Sequence, residues 1–141
     1  MTTSIRREVF YPHPPERVWR ALTDPAALAL WLMPNDFQPR LGHRFTFQTE
    51  PLPPDFDGIV HCEVTELDPP RRLAYTWSGG PGVDTLVRYR LEREDTGTRL
   101  HFEQSGFDLD QPGQRAAFDA MSPGWGRMFD DVLRQVIADL A

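Results

Sequence analysis

Apolar and polar residues alternate through the middle of the chain. Phe45 and Phe47 share one parity of a short run, as do Val60, Cys62 and Val64, then Leu73, Tyr75 and Trp77, then Val87, Tyr89 and Leu91, then Leu100 and Phe102. A period of two marks strands with one buried face. The pattern predicts strands over Arg44 to Thr49, Gly58 to Leu67, Arg72 to Ser78, Val83 to Arg93 and Thr98 to Gln104. A first strand, Ile5 to Tyr11, precedes them and is closed by Pro12, Pro14 and Pro15. The connections at Pro69-Pro70, Gly79 to Gly82 and Asp95-Thr96-Gly97 are turn chemistry, too short for parallel crossovers, so an antiparallel meander follows.

Two other segments change period. From Glu16, Val18, Trp19 and Leu22 fall at helical spacing; Thr23-Asp24-Pro25 ends that helix and opens a second carrying Leu28, Trp31 and Leu32. From about Ala116 to Leu140, Phe118, Met121, Trp125, Met128, Phe129, Val132, Val136 and Leu140 recur every three or four residues, a wide apolar stripe on the longest helix. Pro123 and Gly124 should bend or interrupt its first third. On its polar side, Arg127 with Asp131 and Asp130 with Arg134 stand four apart, pairs worth about 0.2–0.5 kcal/mol each. Assembled, these elements predict an α+β domain over residues 1–141: a curved antiparallel sheet wrapped around a long C-terminal helix, with two short helices after the first strand.

Composition narrows the partners. All 15 basic residues are Arg, and they are interleaved with acids in a chain of net charge −6, which argues against a nucleic-acid footprint. No run approaches the roughly 20 apolar residues of a membrane span. The single Cys62 excludes an internal disulfide and no leader opens the sequence, so a cytoplasmic location is expected.

Several motifs occur in order along this frame: Val18 to Pro25 (VWRALTDP), Trp31, Pro34, the strand opening from Gly42 to Phe45, Asp68 to Leu73 (DPPRRL), Trp77, Gly97 to Leu100 (GTRL) and Gly124-Trp125. With them the chain resembles the AHSA-type branch of the SRPBCC, or START-like, superfamily, from about Arg7 to Leu140. The resemblance implies the helix-grip fold shared with the birch pollen allergen. His43 departs from it, standing where a second Gly is common. The branch takes its name from an activator of a heat-shock chaperone ATPase, in which a related domain is joined to an N-terminal partner domain that this sequence lacks.

The four His residues are the first candidates for chemistry. His61 and His101 fall on the outer parity of strands separated by two others, roughly 14 Å apart at about 4.8 Å per strand, too far to share a metal. His13 and His43 sit in turns. Arg88, Arg90, Glu92, Glu63 and Glu103 also fall outward and read as a cross-strand charge ladder. Asp55 and Asp57 lack the ligand spacing of a calcium loop. No catalytic residue, metal ligand or cofactor emerges.

The inward polar set is short: Cys62, Tyr75, Tyr89, Gln104 and the ring N–H of Trp77. Tyr75, Tyr89 and Gln104 are placed to orient an apolar ligand between sheet and last helix, with Trp31, Trp77, Phe102, Met121, Trp125, Met128 and Phe129 as walls. Core packing explains the same residues, and Cys62, with no base near it in sequence, reads as an inert buried thiol. The leading expectation is non-catalytic binding or carriage of a small hydrophobic or amphipathic molecule. Two alternatives stand beside it: a polyketide-cyclase-like enzyme, which needs an inward Arg, His or carboxylate, and a chaperone ATPase co-activator, which needs an exposed apolar patch. A homodimer is compatible with either.

Overall fold

A computed structural model describes residues 2–51, 56–80 and 82–140. Six antiparallel strands form one sheet in the order β1-β6-β5-β4-β3-β2. They are β1 (Thr2–Tyr11), β2 (Arg44–Gln48), β3 (Ile59–Asp68), β4 (Arg72–Ser78), β5 (Asp84–Glu94) and β6 (Gly97–Asp108). The predicted apolar parities are the buried ones on every strand, so register and burial agree. Between β3 and β4 the Arg71 amide donates to the Asp68 carbonyl at 2.7 Å, closing the expected turn.

Strand β6 runs four residues past the expected end at Gln104. Gly106, with φ +106°, is the extra residue where the β1–β6 register shifts between Thr3 and Ser4. The glycine accommodates a bulge, and pairing resumes at Phe107 with Thr3.

Helices α1 (Pro15–Thr23) and α2 (Pro25–Trp31) each begin on a proline, whose missing N–H costs nothing in a first turn. The Trp31 ring N–H donates to the Ala21 carbonyl at 2.8 Å, pinning α2 to α1. Helix α3 (Pro112–Arg127) starts four residues before the expected boundary, again on a proline. It is not interrupted at Pro123. The carbonyl that would have accepted the missing N–H belongs to Asp119, an exposed residue, so the lost hydrogen bond falls on the solvent side of the helix.

The irregularity comes later. Residues Met128–Val132 form a π-turn before α4 (Leu133–Asp139), with the Leu133 amide bonded to the Met128 carbonyl five residues back. One extra residue in the turn rotates everything after it. The buried stripe therefore runs Trp125, Phe129, Leu133, Val136, Ile137, and Val132, expected inside, is 41% exposed. The same rotation undoes the expected charge pairs. Arg134 donates instead to the Asp130 carbonyl and the Phe10 carbonyl, both at 3.1 Å, and Arg127–Asp131 does not form among the described residues. Arg17 of α1 closes the C-terminal end, donating to the carbonyls of Ile137 and Ala138 at 2.8 Å and to that of Leu140.

Candidate functional site

The inner face of the sheet meets α3 and the π-turn through an aromatic cluster. Phe102 lies 4.5 Å from Trp125 and 4.9 Å from Phe129, Trp31 packs on Phe129 at 5.9 Å, and Tyr75 touches Phe45, Phe47 and Tyr89 at 5.3–5.9 Å between ring centroids. Such contacts each contribute about 0.5–1.5 kcal/mol beyond area burial. Phe37, between α2 and β2, completes the group edge-on to Phe45 at 5.0 Å.

Most polar side chains of this surface bond to one another. The Tyr75 and Tyr89 hydroxyls share a 2.8 Å hydrogen bond. Trp125 Nε1 donates to Gln104 Oε1 at 2.8 Å, Gln104 Nε2 donates to Thr85 Oγ1 at 2.9 Å, and Thr85 Oγ1 donates to the Trp77 carbonyl at 3.0 Å. Burial pushes both phenols well up from their ordinary values and raises the Cys62 thiol as well. None of the three is poised as a base or nucleophile near neutrality.

Beside the cluster, sheet and helix part. A cavity of about 610 Å3, open to solvent, lies between α3, the end of α2 and the far ends of β3 and β4. Its apolar walls include Met33, Val60, Trp77, Met121, Trp125 and Met128. The room comes from α3, which turns Gly113, Ala116, Ala117, Ala120 and Gly124 toward it. A Cβ on Gly124 would meet nothing within 4 Å, so the space continues to the helix backbone. Among the described lining residues none is charged.

The ten residues expected to contact a ligand separate into two groups. Trp77, Met121, Trp125 and Met128 line the cavity. Trp31, Tyr75, Tyr89, Phe102, Gln104 and Phe129 do not. They form the packed core behind it, each at most 3% exposed. Met33, Phe56, Val83 and the small residues of α3 went unread in sequence as cavity lining, although the recurrence of Gly113, Ala116, Ala117, Ala120 and Gly124 at three and four residues was a legible signal.

Arg7 was also missed. It shares the inward parity of Ile5, Val9 and Tyr11, and its guanidinium reaches the Ser122 carbonyl at 2.5 Å and Ser122 Oγ at 3.1 Å. This inward arginine is spent on α3 and does not line the cavity.

The histidines lie elsewhere. His61 is exposed, His13 and His43 sit in turns, and His101 Nδ1 is 3.2 Å from Glu8 Oε1 on the outer face, its Nε2 enclosed without a partner among the described residues. Asp57 accepts the Ile59 amide at 3.1 Å, and Asp55 falls outside the described residues. No three His, Cys, Asp or Glu among the described residues are placed to hold a metal ion. No described helix is long and apolar enough to cross a membrane.

Comparison with known proteins follows the same architecture. The family model for Activator of Hsp90 ATPase homolog 1-like protein matches residues 12–138. No curated protein matches the sequence. Among solved structures, protein MLL2253 from Mesorhizobium loti is 36% identical with a TM-score of 0.81, over 100% of this chain and 99% of its own. CalU16 from Micromonospora echinospora is 25% identical with a TM-score of 0.78, over 98% of this chain and 78% of its own. The Aha1 dimer from Colwellia psychrerythraea shares the fold, at 17% identity and a TM-score of 0.72, over 90% of each chain.

Proposed function

This chain belongs to the Activator of Hsp90 ATPase homolog 1-like family, and from that premise we propose that it binds or carries a small, uncharged, largely apolar molecule in the cavity beside α3. The observation that carries this reading is the division of labour on the inner face. Every described wall residue of the cavity is uncharged, while the neighbouring hydroxyls and amides are bonded to one another. A volume of about 610 Å3 suits a drug-sized ligand, and three methionines, Met33, Met121 and Met128, give the walls adaptability.

Trp77, Met121, Trp125 and Met128 are the proposed contact residues, held from behind by Trp31, Tyr75, Tyr89, Phe102, Gln104 and Phe129. A cyclase-like reaction would need an inward acid or base at the cavity. The candidates nearest to that role are Arg7, bonded to Ser122, and the Tyr75–Tyr89 pair, bonded internally, which favours binding over catalysis. Among the described residues the exposed large apolar ones, Leu30, Leu41 and Val132, stand on three separate segments, which gives little support to a chaperone contact through one patch.

The test is a thermal-shift screen of neutral polycyclic aromatics, isoprenoids and long-chain acids, repeated on Gly124→Leu, which fills the cavity from the helix side. A ligand at about a hundred times its dissociation constant adds about 2.7 kcal/mol. The expected result is a saturable shift with a neutral compound that Gly124→Leu abolishes. A shift unchanged by that substitution, or none across the panel, overturns the reading.

A further inference from the structure

We propose that the outer face of β4 and β5 is a docking surface for an extended acidic segment of a partner protein. This surface lies on the opposite side of the sheet from the cavity and its argument does not depend on what the cavity holds.

The register sets up the charge. Arg72 of β4 stands directly opposite Arg90 of β5, Arg90 opposite His101 of β6, and His101 opposite Glu8 of β1. Like charges directly opposed across strands destabilise a sheet. Nearby arginines are compensated: Arg6 and Arg88 share Glu103 at 2.8 and 3.4 Å, Arg90 reaches Glu92 at 3.1 Å, and Arg93 reaches Glu16 at 3.3 Å. On its other side Arg72 stands opposite Asp68 of β3, whose carboxylate is taken by Arg71 at 3.1 Å, so the Arg72 side chain has no ion-pair or hydrogen-bond partner among the described residues, and an incoming carboxylate between it and Arg90 relieves their repulsion.

The shape gives the occupant. A depression of about 650 Å3 runs from Arg6 on β1 to Glu66 on β3, bordered by Arg72, Arg88 and Arg90. A second depression, reaching to Pro15 and Pro70, adjoins it at Arg72 and Arg90. Five strands at about 4.8 Å spacing make the groove roughly 19 Å across, longer than a single phosphate and matched by about six residues of extended chain. Glutamates interleave with the arginines along it. That alternation repels an unbroken phosphate backbone and suits a peptide whose carboxylates are spaced.

The probe is a fluorescein-labelled peptide of about eight residues alternating Glu and Ser, followed by anisotropy between about 0.02 and 0.15 M salt. Saturable binding is expected, weakening with salt and falling about tenfold in Arg72→Glu. Arg127→Glu, exposed on α3, changes net charge equally and is expected to bind like the parent. Arg72→Ala, with amide shifts mapped by NMR to β4, β5 and β6, keeps the question open to measurement if the glutamate variant misfolds. The proposal fails if binding is not saturable at low salt, if Arg127→Glu loses as much as Arg72→Glu, if the shifts map elsewhere, or if single-stranded DNA of similar length binds more tightly than the peptide.

Discussion

The Tyr11 hydroxyl donates a 2.7 Å hydrogen bond to the Phe129 carbonyl, tying the end of β1 to the widened turn of the C-terminal helix. Arg134 stacks 5.0 Å above the Tyr11 ring and takes the next carbonyl, that of Asp130. The two side chains thus serve the stretch of helix where the regular ladder is disturbed, and the π-turn is built in by tertiary contacts. Removing the hydroxyl in Tyr11→Phe leaves a buried carbonyl short of a partner. The expected cost is about 1–3 kcal/mol, read as a lower urea midpoint with an unchanged m-value.

Alkaline pH should unfold the protein cooperatively. All three tyrosines, Tyr11, Tyr75 and Tyr89, are buried, and burial raises each phenol, as it raises the Cys62 thiol. The folded chain keeps protons that the unfolded chain releases near pH 9 for the thiol and about 10 for the phenols. Their contribution is intact below those values and is lost as pH rises above them. Urea midpoints should fall from about pH 9 upward, and phenolate absorbance should appear only with unfolding. A gradual phenolate rise near pH 10 in protein still folded by circular dichroism contradicts this.

Arg17 holds the last turn of α4 through three carbonyls. Arg17→Ala is expected to lower stability by about 1–2 kcal/mol and to speed amide exchange from Ile137 to Leu140 far more than in β5 or β6. Lysine, which lacks the planar fork, should restore only part of the loss.

Gly124→Ala should stabilise the protein. The position is helical, an added Cβ meets nothing within 4 Å, and alanine is preferred to glycine in a helix by about 1 kcal/mol. The gain, seen in thermal unfolding, is expected to come with weaker ligand binding because the methyl group enters the cavity.

Strand parity made the sheet legible from sequence, because one buried face imposes the same alternation on Val60, Cys62 and Val64 as on Val87, Tyr89 and Leu91. The cavity was harder to read. Apolar residues that line a space and apolar residues that fill one have the same period, so Trp125 and Phe129 look alike until the helix is placed. What separates them is the absence of side chain on α3, carried by Ala117, Ala120 and Gly124, and the rotation at Met128–Val132. A one-residue expansion leaves no periodic trace; it moved Val132 outward and brought Leu133 and Ile137 in. Arg7 was legible by parity alone, since it sits between Ile5 and Val9 on the inward face of β1.

The four indoles are divided between two duties. Trp77 and Trp125, 5.5 Å apart, form part of the cavity wall, whereas Trp19 and Trp31 are buried among the short helices and the core. On the proposed reading, a molecule entering the cavity is expected to alter the surroundings of the first pair far more than those of the second. The protein therefore carries its own optical gauge: Trp19 and Trp31 supply a baseline that reports the scaffold, and Trp77 and Trp125 supply the signal that reports occupancy.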